Sequence, residues 1–293
     1  MPPALRHLLL ALLFSVLAPG LCHADAVTHV VYPASETPND PRFADLIEIM
    51  HMALEKTRAT HGPYEVGPSS SRMTEPRYML ELEQHGEINI AWSSTSEDLE
   101  QRLLPLRIPL RKGLLGYRIA FIDKKNQDKI DRVKTLDDLK NLGIGQGIGW
   151  GDVALYEANG IKVSKARYPL LFKMVTSDRF DLFPRGIGEI FAEYEQFGKD
   201  NPDLAIEKNL LIYYPWPYYF FFNHKDQALK ERIEQGVQIM LKDGSFDAIF
   251  WKYNQAAIEK AHLKGRRILR IKNHLLPKNT PLNNPALWYD PTQ

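Results

Sequence analysis

The chain has little that would support reactive chemistry or fixed membrane residence. Its one cysteine, Cys22, lies in the N-terminal apolar stretch, so the remainder can form no disulfide and no internal thiolate site. Net charge is almost absent, at 37 basic against 36 acidic residues. That balance offers no footprint for nucleic acid or for an anionic membrane surface. No stretch after residue 24 approaches the roughly 20 apolar residues that a membrane helix needs. HExxH, Gly-x-Ser-x-Gly, GxGxxG and a phosphate loop ending in Gly-Lys-Ser/Thr are all missing. His51 and His61 lie ten apart, which is not a metal-ligand spacing, so neither metal nor cofactor is expected.

What is present begins with residues 1–24. Arg6 and His7 precede an apolar run from Leu8 to Ala18, which Pro19-Gly20 breaks, and Cys22-His-Ala24 offers a cleavage site before Asp25. This is the pattern of a secretory signal peptide, too short to span a bilayer, and it directs the chain to a bacterial periplasm. With it goes Arg6, leaving basic and acidic residues equal in number. An apolar fraction of 44% in the whole chain is enough for one or two packed domains.

Strand and helix signals alternate along the rest. Val27–Tyr32 reads as a strand. Asp40-Pro41 then reads as a helix start, with Phe43, Leu46, Ile47, Met50 and Leu54 on one face as far as Arg58. Gly62–Gly67 reads as a turn, and Thr74 as the start of a helix that stops near Gly86. Ile88, Ile90 and Trp92 alternate as in a strand and lead into Ser93-Ser-Thr-Ser96. Leu114–Ile122 is a strand, and Thr135-Leu-Asp-Asp138 has the spacing of a capping box. Strands at Ile144–Ile148, Ile161–Val163 and Phe180–Phe183 alternate with helices after Asp152, at Pro169–Val175 and at Gly188–Phe197. Strands at Leu210–Tyr214 and Tyr218–Phe222 flank Pro215-Trp-Pro217. Helices Gln227–Lys242 and Ser245–Lys260, a strand Ile268–Ile271 and a proline-rich tail finish the chain. The order implies parallel sheets with flanking helices, and no single linker marks a boundary.

Several residues are candidates for binding. Five glycines alternate in Gly143-Ile-Gly-Gln-Gly-Ile-Gly-Trp-Gly151. The pattern fits a strand over which another element packs closely, or a backbone that admits an anion at the start of the helix capped by Asp152. Arg102, Arg107, Arg111 and Arg118 are dense, and a guanidinium is the natural clamp for a carboxylate. Arg185 sits between Pro184 and Gly186 beside an apolar strand. Trp92, Trp150 and Trp216 fall at strand ends or between prolines, where pocket walls form. Glu97 and Glu189 are carboxylates with no evident base or nucleophile paired to them in the sequence.

With these phrases in order, the chain resembles the family 3 extracellular solute-binding proteins of bacteria. The resemblance runs from Val27 to Tyr253. It rests on Gly86-Glu-Ile-Asn-Ile90, the polar loop followed by Arg102, Arg107-Ile-Pro109, Lys134-Thr-Leu-Asp-Asp-Leu-Lys140, the glycine strand, Arg179-Phe-Asp181 and Asp243-Gly-Ser-Phe-Asp-Ala-Ile-Phe-Trp-Lys-Tyr253. The tail, Leu276-Pro277, Thr280-Pro-Leu282 and Trp288-Tyr289, is similar to an uncharacterised subgroup. The resemblance implies an α/β fold of two lobes, the type 2 periplasmic-binding-protein fold, with mixed sheets, flanking helices and two crossover strands at a hinge. These crossings fall near Leu115–Phe121 and Pro215–Phe222. Lobe 1 would comprise 25–117 and 217–293, and lobe 2 would comprise 118–216. A small polar solute, anionic or amino-acid-like, would be held between them by hinge closure.

The implied ligand-binding set is Tyr32, Trp92, Ser94, Thr95, Arg102 and Arg107 from the first lobe, Trp150, Asp152 and Arg185 from the second, and Trp216 at a crossing. Thr95 and Arg102 are seven apart where the family has three, and Gly186 stands where the family has an acid for an α-ammonium. The implied protein is a monomeric, non-enzymatic receptor with an inner-membrane ABC permease as partner. A sensor partner, or a dehydratase or glycan-cleaving enzyme using Glu97 or Glu189, are the alternatives.

Overall fold

The computed structural model describes residues 27–35 and 41–291. The expected signal peptide, its cleavage site and Asp40 lie outside the described residues. In chain order the strands are β1 (Thr28–Ala34), β2 (Tyr64–Arg72), β3 (Ala91–Ser94), β4 (Leu104–Leu106), β5 (Tyr117–Asp123), β6 (Gly143–Gly147), β7 (Lys162–Ala166), β8 (Phe183–Gly186), β9 (Leu204–Ile206), β10 (Leu210–Tyr213), β11 (Tyr218–Phe222) and β12 (Arg267–Arg270).

Two sheet layers result. In the first, β11 is central, antiparallel to β3 and β4. β1 pairs in parallel with β2 and joins β3 through the Ile90 and Asn89 N–H groups, which both donate to the Val31 carbonyl. In the second, β5 is central, antiparallel to β10, β8 and β9. β10 takes β12 in parallel on its far side. β6 and β7 extend this layer, β6 meeting the chain before β8 through the Leu182–Gly143 and Gly145–Leu182 hydrogen bonds. The sheets are therefore mixed rather than parallel, because each central strand is a long-range return rather than a βαβ crossover.

Both central strands are buried on both faces, which explains why β11 is wholly aromatic and β5 apolar from Ile119 to Ile122. In β11, Phe220 and Phe222 face a core with the Ala44–Lys56 and Gln227–Asp243 helices, while Tyr219 and Phe221 face Tyr78, Leu82 and Leu103. In β5, Ile119 and Phe121 face Phe172, Phe183 and Ile190, while Ala120 and Ile122 face Ile144, Tyr156 and Leu182. The strand period of two thus assigns alternate residues to separate cores.

Three local readings need correction. Residues 62–67 are not a simple turn, because Tyr64 opens β2, whose Pro68 is tolerated on an edge. Asp152 is not an N-cap. Gly151 holds that position, and Asp152 is the first residue of the Asp152–Ala158 helix with its carboxylate turned inward. The strand expected over 180–183 runs over Phe183–Gly186, which carries Arg185 into the sheet. The capping box stands as expected: Thr135 Oγ1 accepts from the Asp138 N–H, and Asp138 Oδ2 accepts from the Thr135 N–H.

Candidate functional site between the lobes

Two segments pass from the first layer to the second, residues 107–116 and 214–217. They run side by side. The Leu110 N–H donates to the Tyr218 carbonyl at 3.0 Å, and the Tyr214 N–H donates to the Gly116 carbonyl at 3.2 Å. A Cβ at Gly116 would lie 1.9 Å from the Tyr214 carbonyl oxygen, so only glycine permits the approach. The C-terminal tail crosses the same place. Asn273 Nδ2 donates to the Pro215 carbonyl, the Tyr289 N–H donates to the Lys112 carbonyl, and Tyr117 Oη donates to the Tyr289 carbonyl. β12, with the tail's start, belongs to the second sheet, although the expected division grouped 217–293 with the first lobe.

A cavity of about 570 Å³ opens beside these crossings, within the size range of small-molecule sites. Its walls come from both layers and the hinge. Phe43, Asp45 and Tyr218 stand on one side, Ile187, Glu189 and Ala192 on the other, with Arg111, Leu114 and Leu115 between and Tyr253 at one end. Arg111 is held rigidly, donating from Nε and Nη2 to Asp45 at 2.6 and 2.7 Å. A second cavity, of about 250 Å³, lies beneath the tail, lined by Tyr117, Tyr213, Trp288 and Tyr289. None of its lining residues comes from the first sheet.

Behind Glu189 lies a buried cluster of charge. Arg185 on β8 makes a forked contact with Glu193, with Nε and Nη2 at 2.7–3.0 Å from its oxygens, and its guanidinium stacks 4.5 Å above the Trp150 ring. Tyr168 Oη also donates to Glu193. Register places Arg118 of β5 opposite Gly186. Arg118 faces Asp152 at 3.5 Å and Glu189 at 3.7 Å, and its buried Nε has no hydrogen-bond partner. Tyr214 Oη donates to Asp152 at 2.8 Å. Burial pushes the Glu189 carboxyl up, but Arg185, Arg118, the Gly186 N–H and Arg111 more than offset this and hold it below its ordinary value. Glu189 is thus ionised at neutral pH, which is the wrong state for a general acid. Glu97 is exposed in the first turn of a surface helix. Among the described residues, no group of three or more His, Cys, Asp or Glu side chains is placed to hold a metal ion.

The structure brings some of the sequence-derived candidates together. Trp150, Asp152 and Arg185 share the charged cluster, and the Trp216 ring lies 3.3 Å from where a Gly151 Cβ would stand. Tyr32 and Phe43 both pack against Trp92, with ring centroids 6.1 and 5.3 Å from its ring. Trp92 lies beneath the cavity wall, almost wholly buried, and its Nε1 has no partner. Ser94 pairs by register with Tyr218. Others sit apart. Arg102 lies at the surface between Glu83 and Asp98, and Arg107 binds Glu100, which also accepts from Thr95 Oγ1 at 2.6 Å. The alternating glycines serve close packing. Phe180 covers Gly145 and Trp150 covers Gly147, each ring within 2.3 Å of an added Cβ. Phe43, Asp45 and Tyr218 are not among the binding candidates, and Arg111, Arg118 and Glu189, named for their charge, stand outside the implied ligand-binding set; these six form most of the site. For Arg118 the signal was available: it is a lone charge in the apolar run Tyr117-Arg-Ile-Ala-Phe121.

The architecture has relatives of known structure. The chain is similar to a probable amino-acid ABC transporter extracellular-binding protein from Bacillus subtilis, with a TM-score of 0.52 at 18% identity over 78% of this chain and 99% of that one. It is also similar to an amino acid ABC transporter substrate-binding protein from Streptococcus pneumoniae bound to L-arginine, with a TM-score of 0.51 at 13% identity over 78% and 94% of the two chains. No protein-family model and no curated protein matches the sequence. The fold is that of the two-lobed type 2 solute-binding proteins.

Proposed function

We propose that this protein is an extracytoplasmic receptor that captures a small amino-acid-like or anionic solute between its lobes and presents it to an ABC-type importer. The observation that carries this reading is the 570 Å³ cavity with charged and aromatic walls drawn from both layers at the paired crossings. A solute touching both walls stabilises only the closed arrangement, so binding and closure are one equilibrium. Its structural neighbours, named as binding proteins of amino-acid transporters, support the same class. The signal-like N-terminus supports a periplasmic location with cleavage after Ala24, and the mature chain is proposed to act as a monomer. The lobes divide at the paired crossings, with β12 counted in the second. No helix among the described residues is long and apolar enough to cross a membrane.

The test is titration calorimetry on residues 25–293 against the common amino acids, dicarboxylates and aromatic acids. Saturable binding of one class without turnover is the expected result. A ligand at 100 times its Kd adds about 2.7 kcal/mol to the folded state, so a thermal-shift rise should accompany it. Turnover of a bound compound, or no binding by well-folded protein, would count against the receptor reading.

A further inference from the structure

The site has an uneven feature: its second-lobe cations are paired with an acid that is only half withdrawn from solvent. We infer that Gly186, Arg185 and Arg118 form a carboxylate cradle, that Glu189 occupies it as a stand-in, and that the captured solute is an organic acid whose carboxylate displaces Glu189. This rests on the receptor reading and specifies the chemistry of its ligand.

The cradle is defined by its donors. Glu189 Oε2 receives the Gly186 N–H at 3.0 Å, faces Arg185 Nη2 at 3.2 Å and faces Arg118 Nη1 at 3.7 Å. All three contacts fall on one oxygen. The Glu189 side chain is 42% exposed and forms part of the cavity wall, so a change of rotamer takes its carboxylate into the cavity without disturbing the core. The donors cannot follow. Arg185 is fixed by its fork to Glu193 and by the Trp150 ring, and Arg118 lies within a fully buried strand.

Charge and hydrogen bonding favour an incoming anion. Asp152 and Glu193 are buried and committed, the first to Tyr214 and the second to Tyr168 and Arg185. Arg118 is the poorly satisfied member. Its side chain is 9% exposed, its ion pairs are 3.5 and 3.7 Å long, and its Nε has no partner. A buried guanidinium with an orphaned N–H gains from a better-placed acceptor, and a free carboxylate is not tethered to the Glu189 backbone. Once displaced, the Glu189 carboxylate remains on the cavity wall, where an ammonium on the same solute can meet it. The nearby rings of Trp150, Phe43 and Tyr218 suit an acid with a flat apolar body.

The probe is benzoate, which carries the carboxylate and ring but no ammonium, with benzylammonium as the charge control. Calorimetry at pH 7 on the wild-type protein, Glu189→Ala and Glu189→Gln, each checked for folding by circular dichroism, gives the comparison. At least tenfold tighter benzoate binding by Glu189→Ala, a smaller gain by Glu189→Gln and no gain for benzylammonium are expected. Equal or weaker benzoate binding by Glu189→Ala overturns the cradle. A second readout needs no variant: in the wild-type protein the Glu189 Cδ signal, followed by 13C NMR, should titrate nearer the ordinary glutamate range under saturating benzoate. An unmoved titration, or no benzoate binding at any concentration, also overturns it. If Glu189→Ala shows no gain while the wild-type protein binds an amino acid, the cradle fails and the receptor reading stands. If benzoate binds the wild-type protein and gains from Glu189→Ala, while the wild-type protein turns over its bound solute, the receptor reading fails alone.

Discussion

Two sets of arginines in this chain meet carboxylates in different ways. In the first lobe, Arg102 lies between Asp98 and Glu83 at the surface, 40% exposed, and Arg107 pairs with Glu100. In the second, Arg118 and Arg185 come from separate strands into a buried cluster where the acids hold Arg185 fully and Arg118 only in part. Density along the sequence marked Arg102, Arg107, Arg111 and Arg118 alike, but Arg118 and Arg185 lie directly behind the Glu189 wall of the cavity, whereas Arg102 and Arg107 lie apart from it. A guanidinium with local, well-formed partners has nothing left to offer a ligand. One assembled by sheet register, with an unpartnered N–H, does.

The comparison can be broken by removing each kind of arginine. Arg185→Ala leaves Glu193 buried without its forked partner and should cost about 3–5 kcal/mol in urea denaturation, the usual cost of breaking a buried pair. Gly116→Ala tests the hinge that brings the two regions together. Its Cβ must push the Tyr214 carbonyl aside, and a loss of about 1–3 kcal/mol is expected. Glu189→Gln sharpens the contrast by pH. The folded-state pKa of Glu189 is depressed, so its stabilisation is present above the ordinary glutamate value and is lost as pH falls through the folded value. The variant should therefore show a shallower acid limb in stability against pH. Arg102→Ala should change stability least, by no more than about 1 kcal/mol, and salt should erase the difference. Equal costs for Arg102→Ala and Arg185→Ala would remove the distinction.

Much of the fold was legible because it is written locally. The capping box at Thr135, the two helices split at Gly244 and the aromatic strand at Tyr218 all announce themselves by spacing or composition. β2 did not, since Glu65-Val-Gly-Pro-Ser-Ser-Ser-Arg72 has no apolar alternation and is held as a strand by backbone pairing to β1. Asp152 was misread for a related reason. An acid before a helix suggests a cap, but here Tyr214, 62 residues away, takes its carboxylate. The site was half legible. Trp150 and Arg185 stand out beside glycines and prolines, whereas Arg111, Asp45 and Glu189 acquire meaning only when the crossings bring distant segments together.

The central claim is that the two lobes close around a solute, and the distance between them tests it most directly. Residues 25–293 contain no cysteine, so Lys225→Cys on the first lobe and Lys173→Cys on the second, both exposed, give a unique pair of spin-label sites. Electron double-resonance spectroscopy would be recorded without solute, and then with saturating benzoate or the tightest amino acid of the calorimetric series. A narrower and shorter distance distribution on saturation is the result this account predicts. An unchanged distribution under conditions where calorimetry shows binding would contradict it.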